Sequence, residues 1–306
     1  MLFATIRHTA TATGTGTCAA VVTDPRATDG RAIGAEEPVR VRLIPAVRDV
    51  GHLCAAGLIG RGARITDIER AGFTVTGETT VSRAQIAPVV GQPKKIFCCG
   101  LNYTSHIREM GHPLPDRPTL FAKFADTLTG PFDPITVAAH NAARLDFEGE
   151  LAVVIGRAVG YNFRPSLRQA REAIAGFTIA DDVSMRDYQK ATPQWLAGKN
   201  LLHSTPLGPW LADGADHDTG SARLETRVNG TTMQQAQISD LLHGPAQLVQ
   251  FISSFTALAP GDVIITGTTG GVGFARDPQI FLHHGDVVEV AVTGIGAISS
   301  TITVTD

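Results

Sequence analysis

Glu148-Gly149-Glu150 runs directly into the apolar segment Leu151-Ala152-Val153-Val154-Ile155-Gly156. Side chains alternate faces along a strand, so Glu148 and Glu150 point the same way, at the mouth of a segment whose remainder reads as buried. Two carboxylates on one face repel and carry desolvation costs, which a shared proton or a bound cation relieves. A third acid is offered by Ile179-Ala180-Asp181-Asp182-Val183, another short strand-like run. Oxygen-only donors favour a hard ion, Mg²⁺, Mn²⁺ or Ca²⁺, over zinc. The same letters suit an edge strand with acids on its wet face, and Glu-x-Glu alone does not separate the two readings.

Further polar groups follow apolar runs. Lys95 to Tyr103 reads as a buried strand opening into a polar loop that continues to His106 and Glu109. Three apart on a helical turn, these two can meet, and a carboxylate beside an imidazole makes a general base; a solvated surface pair is the alternative. Arg186 and Gln189 follow Asp182, suited to a carboxylate and to a carbonyl or hydroxyl, unless Arg186 merely pairs with Asp187. Lys199 stands after Gly198 in apolar surroundings, where an ammonium can stabilise an enolate oxygen, although a lone lysine commonly faces solvent. Thr266-Gly267-Thr268-Thr269-Gly270-Gly271 follows a strand and lets backbone approach an anion or carbonyl, but without Gly-Lys-Ser/Thr it is no nucleotide loop. His283 and His284 fall in a turn and read as exposed.

Those groups need a scaffold of strands. The chain has 306 residues, 43% hydrophobic and 18% charged, enough for a large core in one domain or two unequal ones. A net charge of -3 offers no general attraction to nucleic acid or anionic membrane. No run has the length of a membrane span and Met1 to Arg7 lacks signal-peptide character, so the expected location is cytoplasmic. Cys18, Cys54, Cys98 and Cys99 lack Cys-x-x-Cys spacing and read as reduced and buried. Strands are expected at Leu2 to Arg7, Cys18 to Val22, Val39 to Ile44, Asp262 to Thr266, Asp286 to Val292 and Ala297 to Val304, and helices at Ser166 to Ala175 and Gly244 to Leu258. Gly14 to Ala19 matches a dinucleotide fingerprint in letters but leads into a strand where the motif requires a helix. With Pro88, Gly91 and Pro93 breaking regular structure, the expected division is 1–75, a small β-rich domain; 76–93, a linker; and 94–306, the functional domain. The fold class is mixed α/β and β-rich, barrel-like with flanking helices.

The motifs together resemble the fumarylacetoacetate hydrolase family over roughly Lys94 to Val304. The family's opening segment is similar to Gly100-Leu101-Asn102-Tyr103-Thr104-Ser105-His106-Ile107-Arg108-Glu109. Its metal strand resembles Leu145-Asp146-Phe147-Glu148-Gly149-Glu150, and its Asn-Asp-Val-Ser-Ala-Arg-Asp-x-Gln segment resembles Asp181 to Gln189. Gly198-Lys199, Leu207-Gly208-Pro209-Trp210, Pro260-Gly261-Asp262 and Thr266-Gly267-Thr268 match further motifs in order. Asp181 stands where Asn is expected, Leu202 where many members have Asp, and Thr269 where Pro is usual.

The resemblance implies a β-roll or barrel carboxy-terminal domain, a homodimer, and Mg²⁺ or Mn²⁺ (Ca²⁺ as a further option) held by Glu148, Glu150 and Asp182. It implies catalysis by His106, Glu109 and Lys199 on a 2-oxo acid held by Arg186, Gln189 and Thr268. The expected reaction is hydrolysis of the C3-C4 bond of an acylpyruvate or fumarylpyruvate to pyruvate and an acid. The alternatives are oxaloacetate decarboxylation and isomerisation or decarboxylation of 2-hydroxyhepta-2,4-diene-1,7-dioate, which share the enolate and differ in its fate.

Overall fold

The computed structural model describes residues 1–8, 16–28, 37–60, 62–109, 113–214 and 219–306, without the side chains of His106 and Glu109. The strand Gly149–Ile155 lies in the interior of a large sheet and is buried along its whole length. That burial explains its unbroken apolar run, since a strand covered on both faces shows no polar alternation. Leu151, Val153 and Ile155 pack into one core, while Ala152 and Val154 pack into a second on the opposite face. The edge-strand reading of Glu148 and Glu150 is thereby excluded.

The main path of that sheet runs Glu78–Val81, Val39–Ile44, Gly16–Val22, Leu2–His8, Thr205–Asp213, Ile174–Asp181, Gly149–Ile155, Val263–Thr268, Ile96–Gly100, Thr119–Lys123. A second sheet contains Thr231–Gln237, Arg223–Val228, Val287–Val292, Gly296–Thr305 and Ile135–Ala138. It closes over the first, with Leu224, Val290, Ile298 and Ile302 sharing a core with Leu151 and Ile179. The architecture is mixed α/β and β-rich, as the sequence predicts. The amino-terminal strands join it where Leu2–His8 pairs antiparallel with Thr205–Asp213, and the 76–93 stretch contributes the short strands Glu78–Val81 and Ile86–Ala87.

Two helices differ from expectation in length. Ser166 caps its helix as predicted, but the helix is Leu167–Glu172, and Ile174 already begins a strand. Pairing of Ile174–Asp181 with Gly149–Ile155 and Thr205–Asp213 overrides local helix propensity there. The later helix is Pro245–Ser253, with Gly244 as N-cap. Gly14 and Thr15 lie outside the described residues, and Gly16–Val22 is a strand paired on both sides, which removes the helix a dinucleotide loop requires. All four cysteines are free and buried.

Candidate metal centre and active site

Strand register assembles the acids. Gly149 pairs with Asp181 across the sheet, so Glu148 and Asp182 leave adjacent strand ends side by side. The Asp182 amide donates to the Glu148 carbonyl (2.9 Å), and the Glu148 amide donates to Asp181 Oδ1 (2.9 Å). On its other side Glu150 pairs with Thr268, and the Gly267 amide donates to the Glu150 carboxylate. Gly267 has φ +108°, and a Cβ there would meet Asn102 and the Cys99 carbonyl at 2.8 Å, so only glycine brings that amide in. One oxygen each from Glu148, Glu150 and Asp182 lies within 4.8 Å of the others.

Cations interleave with the acids. Lys199 is buried, not solvent-facing, and its Nζ donates to Glu148 Oε2 (2.6 Å) and Asp182 Oδ2 (2.7 Å). Lys123, at the end of its strand, donates to Asp182 Oδ1 (2.7 Å) and to the Lys199 carbonyl. Arg186 does not pair with Asp187. Its Nε donates to Asp146 Oδ2 (2.8 Å), and its Nη1 lies 2.5 Å from Glu148 Oε1 and donates to Gln189 Oε1 (2.8 Å). Asp146 also accepts from the Gly273 and Phe274 amides (2.8 and 2.9 Å), which ties Arg186 to the turn above the site. The Thr268 hydroxyl donates to the Gly149 carbonyl (3.0 Å) and accepts from Gln234 Nε2 (2.7 Å).

Four carboxylates, Asp146, Glu148, Glu150 and Asp182, thus face three cations, and the excess negative charge falls on Glu150. Burial, then Asp182 and Glu148, push the Glu150 carboxyl well above its ordinary range; Lys199 and the Gly267 amide do not offset them. Burial also opposes ionisation of Asp182, but Lys123 and Lys199 outweigh it and hold this carboxyl low. For Lys199, burial is outweighed by Asp182 and Glu148, which retain the ammonium form. Burial raises Asp181 to about 7. The donor set fits a divalent cation: it is convergent and oxygen-only, and among the described residues Glu150 has no cationic side chain bonded to it.

A cavity of about 210 Å³ opens over the triad, and Glu148, Glu150, Arg186, Gln189, Lys199 and Thr268 all line it. Seven of the nine site residues expected from sequence therefore converge: these six line the cavity, and Asp182 lies beneath it. The other two, His106 and Glu109, fall on the helix Thr104–Glu109, three apart as expected, and their side chains lie outside the described residues. The departures are local. Leu202 is exposed and borders a different cavity, and the Thr269 carbonyl accepts from Gln234 (3.0 Å). Sequence reading passed over Lys123, Asp146 and Gln234. A lysine closing the run Leu120-Phe121-Ala122 was the available signal for the first; the others act through partners distant in the chain.

A buried oxygen triad, fitted for a divalent ion and set under a small cavity of mixed polar and apolar lining, defines an enzyme acting on a small molecule. Residues 95–303 match the model of the fumarylacetoacetate (FAA) hydrolase carboxy-terminal domain, and the chain belongs to the fumarylacetoacetate hydrolase family. It is 39% identical over 216 residues to the mitochondrial oxaloacetate tautomerase FAHD2A of Bos taurus, a match covering 70% of this chain and 67% of that one. Its fold is similar to the crystal structure of 2-hydroxyhepta-2,4-diene-1,7-dioate isomerase from Mycobacterium marinum, with TM-score 0.72, 29% identity and coverage of 100% and 99% of the two chains. It is also similar to a fumarylacetoacetate hydrolase from Exiguobacterium antarcticum, with TM-score 0.78, 27% identity and coverage of 99% and 100%. Among the described residues no helix is long and apolar enough to cross a membrane.

Proposed function

We propose that this chain catalyses metal-dependent isomerisation of a 2-oxo acid, keto to enol or between double-bond positions, with proton movement at C3 as the central step. The observation that carries the reading is the oxygen triad with the Lys199 ammonium at its edge, two of its three carboxylates and the ammonium lining one cavity. The hydrolytic ending expected from sequence gives way to an ending without a water nucleophile. A relative named as an oxaloacetate tautomerase and a structural neighbour named as a dienedioate isomerase both support that change.

Glu148, Glu150 and Asp182 would hold a divalent ion, Mg²⁺ or Mn²⁺ in this reading, which would supply Lewis acidity toward the bound 2-oxo acid and so acidify C3. Lys199 offsets the negative charge that develops on the 2-oxo oxygen. Lys123 keeps Asp182 ionised. Arg186, fixed by Asp146, orients Glu148 and Gln189 toward the substrate. The His106-Glu109 dyad in this reading takes the C3 proton; the C-H bond breaks, and the proton returns to the oxygen or to a carbon further along the chain. The homodimer belongs to the same reading on the strength of the family resemblance, and sedimentation equilibrium tests it.

Enol-oxaloacetate followed by its ultraviolet absorbance, in Mg²⁺ or Mn²⁺ and in chelator, tests the function, with pyruvate and CO₂ quantified separately. The expected result is metal-dependent loss of the enol without pyruvate. Pyruvate plus CO₂ would move the assignment to a decarboxylase. Pyruvate plus acid from an acylpyruvate, with the enol decaying at the buffer rate, would restore the hydrolase.

A further inference from the structure

A second cavity, of about 560 Å³, shares no lining residue with the one over the triad. Its volume falls in the range of small-molecule sites, roughly 300–1,000 Å³. The helix Pro245–Ser253 presents Gln247, Gln250 and Phe251 to it, at positions i, i+3 and i+4 on one face. Arg117 and Arg164 line it from two other segments, together with Asp116 and His243. Among the described residues neither guanidinium pairs with a carboxylate, Asp116 included. The backbone on both sides of Arg164 is tied to the helix: Ser253 Oγ donates to the Phe163 carbonyl (3.2 Å) and Gln250 Nε2 to the Pro165 carbonyl (2.6 Å). His243 is fixed in the same way, its amide donating to Asn102 Oδ1 (2.9 Å) and its carbonyl accepting from Asn102 Nδ2 (3.0 Å). Its Nε2 is buried without a partner among the described residues, and a ligand oxygen would satisfy it.

Hydrogen bonds within the wall decide what it offers a ligand. Gln247 Oε1 accepts from the Gly244 amide (2.7 Å), which leaves Gln247 Nε2 as a donor in addition to the two guanidinium groups. Gln250 Nε2 is spent on Pro165, and Ser254 Oγ donates to the Phe251 carbonyl (2.6 Å), so Gln250 Oε1 and Ser254 Oγ remain as acceptors alongside the Asp116 carboxylate. Two arginine forks on separate segments suit a tetrahedral phosphoryl group, with three oxygens to bond, better than a flat carboxylate. The acceptors suit hydroxyl groups, and the Phe251 ring takes the C-H surface of a carbon skeleton. We propose that this cavity binds a hydroxyl-bearing phosphate monoester, the chemical class of the sugar phosphates. The site is separate from the triad, so the proposal stands or falls independently of the 2-oxo acid reading.

Calorimetry on the full chain tests it with glucose 6-phosphate, inorganic phosphate and glucose, at constant ionic strength and in chelator so that no ion at the triad recruits phosphate. The expected result is saturable binding of glucose 6-phosphate, roughly tenfold tighter than inorganic phosphate, the factor one hydrogen bond to a charged group supplies, and no binding of glucose. Arg117→Gln and Arg164→Gln should each weaken the sugar phosphate roughly tenfold. Both side chains are exposed, so the fold survives, which circular dichroism checks. Asp116→Asn should shrink the advantage of glucose 6-phosphate over inorganic phosphate, because it weakens an acceptor for hydroxyls and lifts a repulsion of the phosphoryl group. Arg168→Gln, at an exposed arginine paired with Glu172 outside the cavity, should change nothing. No binding of glucose 6-phosphate, equal affinity for it and inorganic phosphate, or equal weakening by Arg168→Gln and Arg164→Gln would overturn the site.

Discussion

Lys123→Met isolates the electrostatic logic of the site, because Lys123 lines no wall of the cavity. The Lys123 and Asp182 side chains are fully buried, and their 2.7 Å ion pair, with the bond to the Lys199 carbonyl, is what the substitution deletes. Removing one partner of a buried pair costs about 3–5 kcal/mol, since the other charge stays buried without its counter-ion. Asp182 retains Lys199 at 2.7 Å, which places the cost near the lower end, about 3 kcal/mol. At an unfolding entropy of about 2.1 cal/mol/K per residue over 306 residues, 1 kcal/mol moves Tm by about 1.6 °C, so the expected loss in chelator is about 5 °C. Saturating Mn²⁺ returns a counter-charge to Asp182 and should shrink the loss to about 2 °C. Differential scanning calorimetry in the two media, with circular dichroism to confirm an intact fold, makes the comparison. Equal losses with and without the ion would refute the view that Lys123 and a metal ion answer to the same carboxylate.

Mn²⁺ at a hundred times its Kd should stabilise the unaltered protein by about 2.7 kcal/mol, close to 4 °C, and Glu150→Gln should remove that shift; a retained shift would place the ion elsewhere. Gly149→Ala drives a Cβ into Thr226 and to 2.8 Å from Val290, wedging the two sheets apart beneath the acids. The expected cost is about 2–3 kcal/mol, with at least a tenfold loss of Mn²⁺ affinity by calorimetry; normal affinity would mean the strand adapts without moving its ligands. Burial raises Cys18 and Cys98 and lifts Cys54 and Cys99 to about 12, so the native protein at pH 8 holds thiols and not thiolates. A disulfide reagent should label none of the four until urea is added, and rapid labelling of the folded protein would contradict the buried cores.

The sequence alone determined several of the strands and the candidate site residues. Alternation and apolar runs are local properties, so Leu2 to Arg7, Val39 to Ile44 and Ala297 to Val304 were legible in order. Glu148, Glu150, Asp182, Arg186, Gln189 and Lys199 were legible as reactive types placed beside apolar runs, and the ordered motifs named their family. Where local and long-range preferences conflict, the local signal misleads: the helix begun at Ser166 stops at Glu172 because sheet pairing claims Ile174.

Tertiary structure alone decided how those charges are balanced. Lys123 lies 59 positions from Asp182, and Asp146 lies 40 from Arg186, separations over which no local pattern carries information. Lys199 read as a candidate catalytic ammonium with solvent exposure as the alternative, and only the folded sheet shows it buried against two carboxylates whose attraction outweighs its desolvation. Register does the rest. Pairing Gly149 with Asp181 on one side and Glu150 with Thr268 on the other converges three acids from separate runs, and only a folded sheet fixes which residues stand opposite one another.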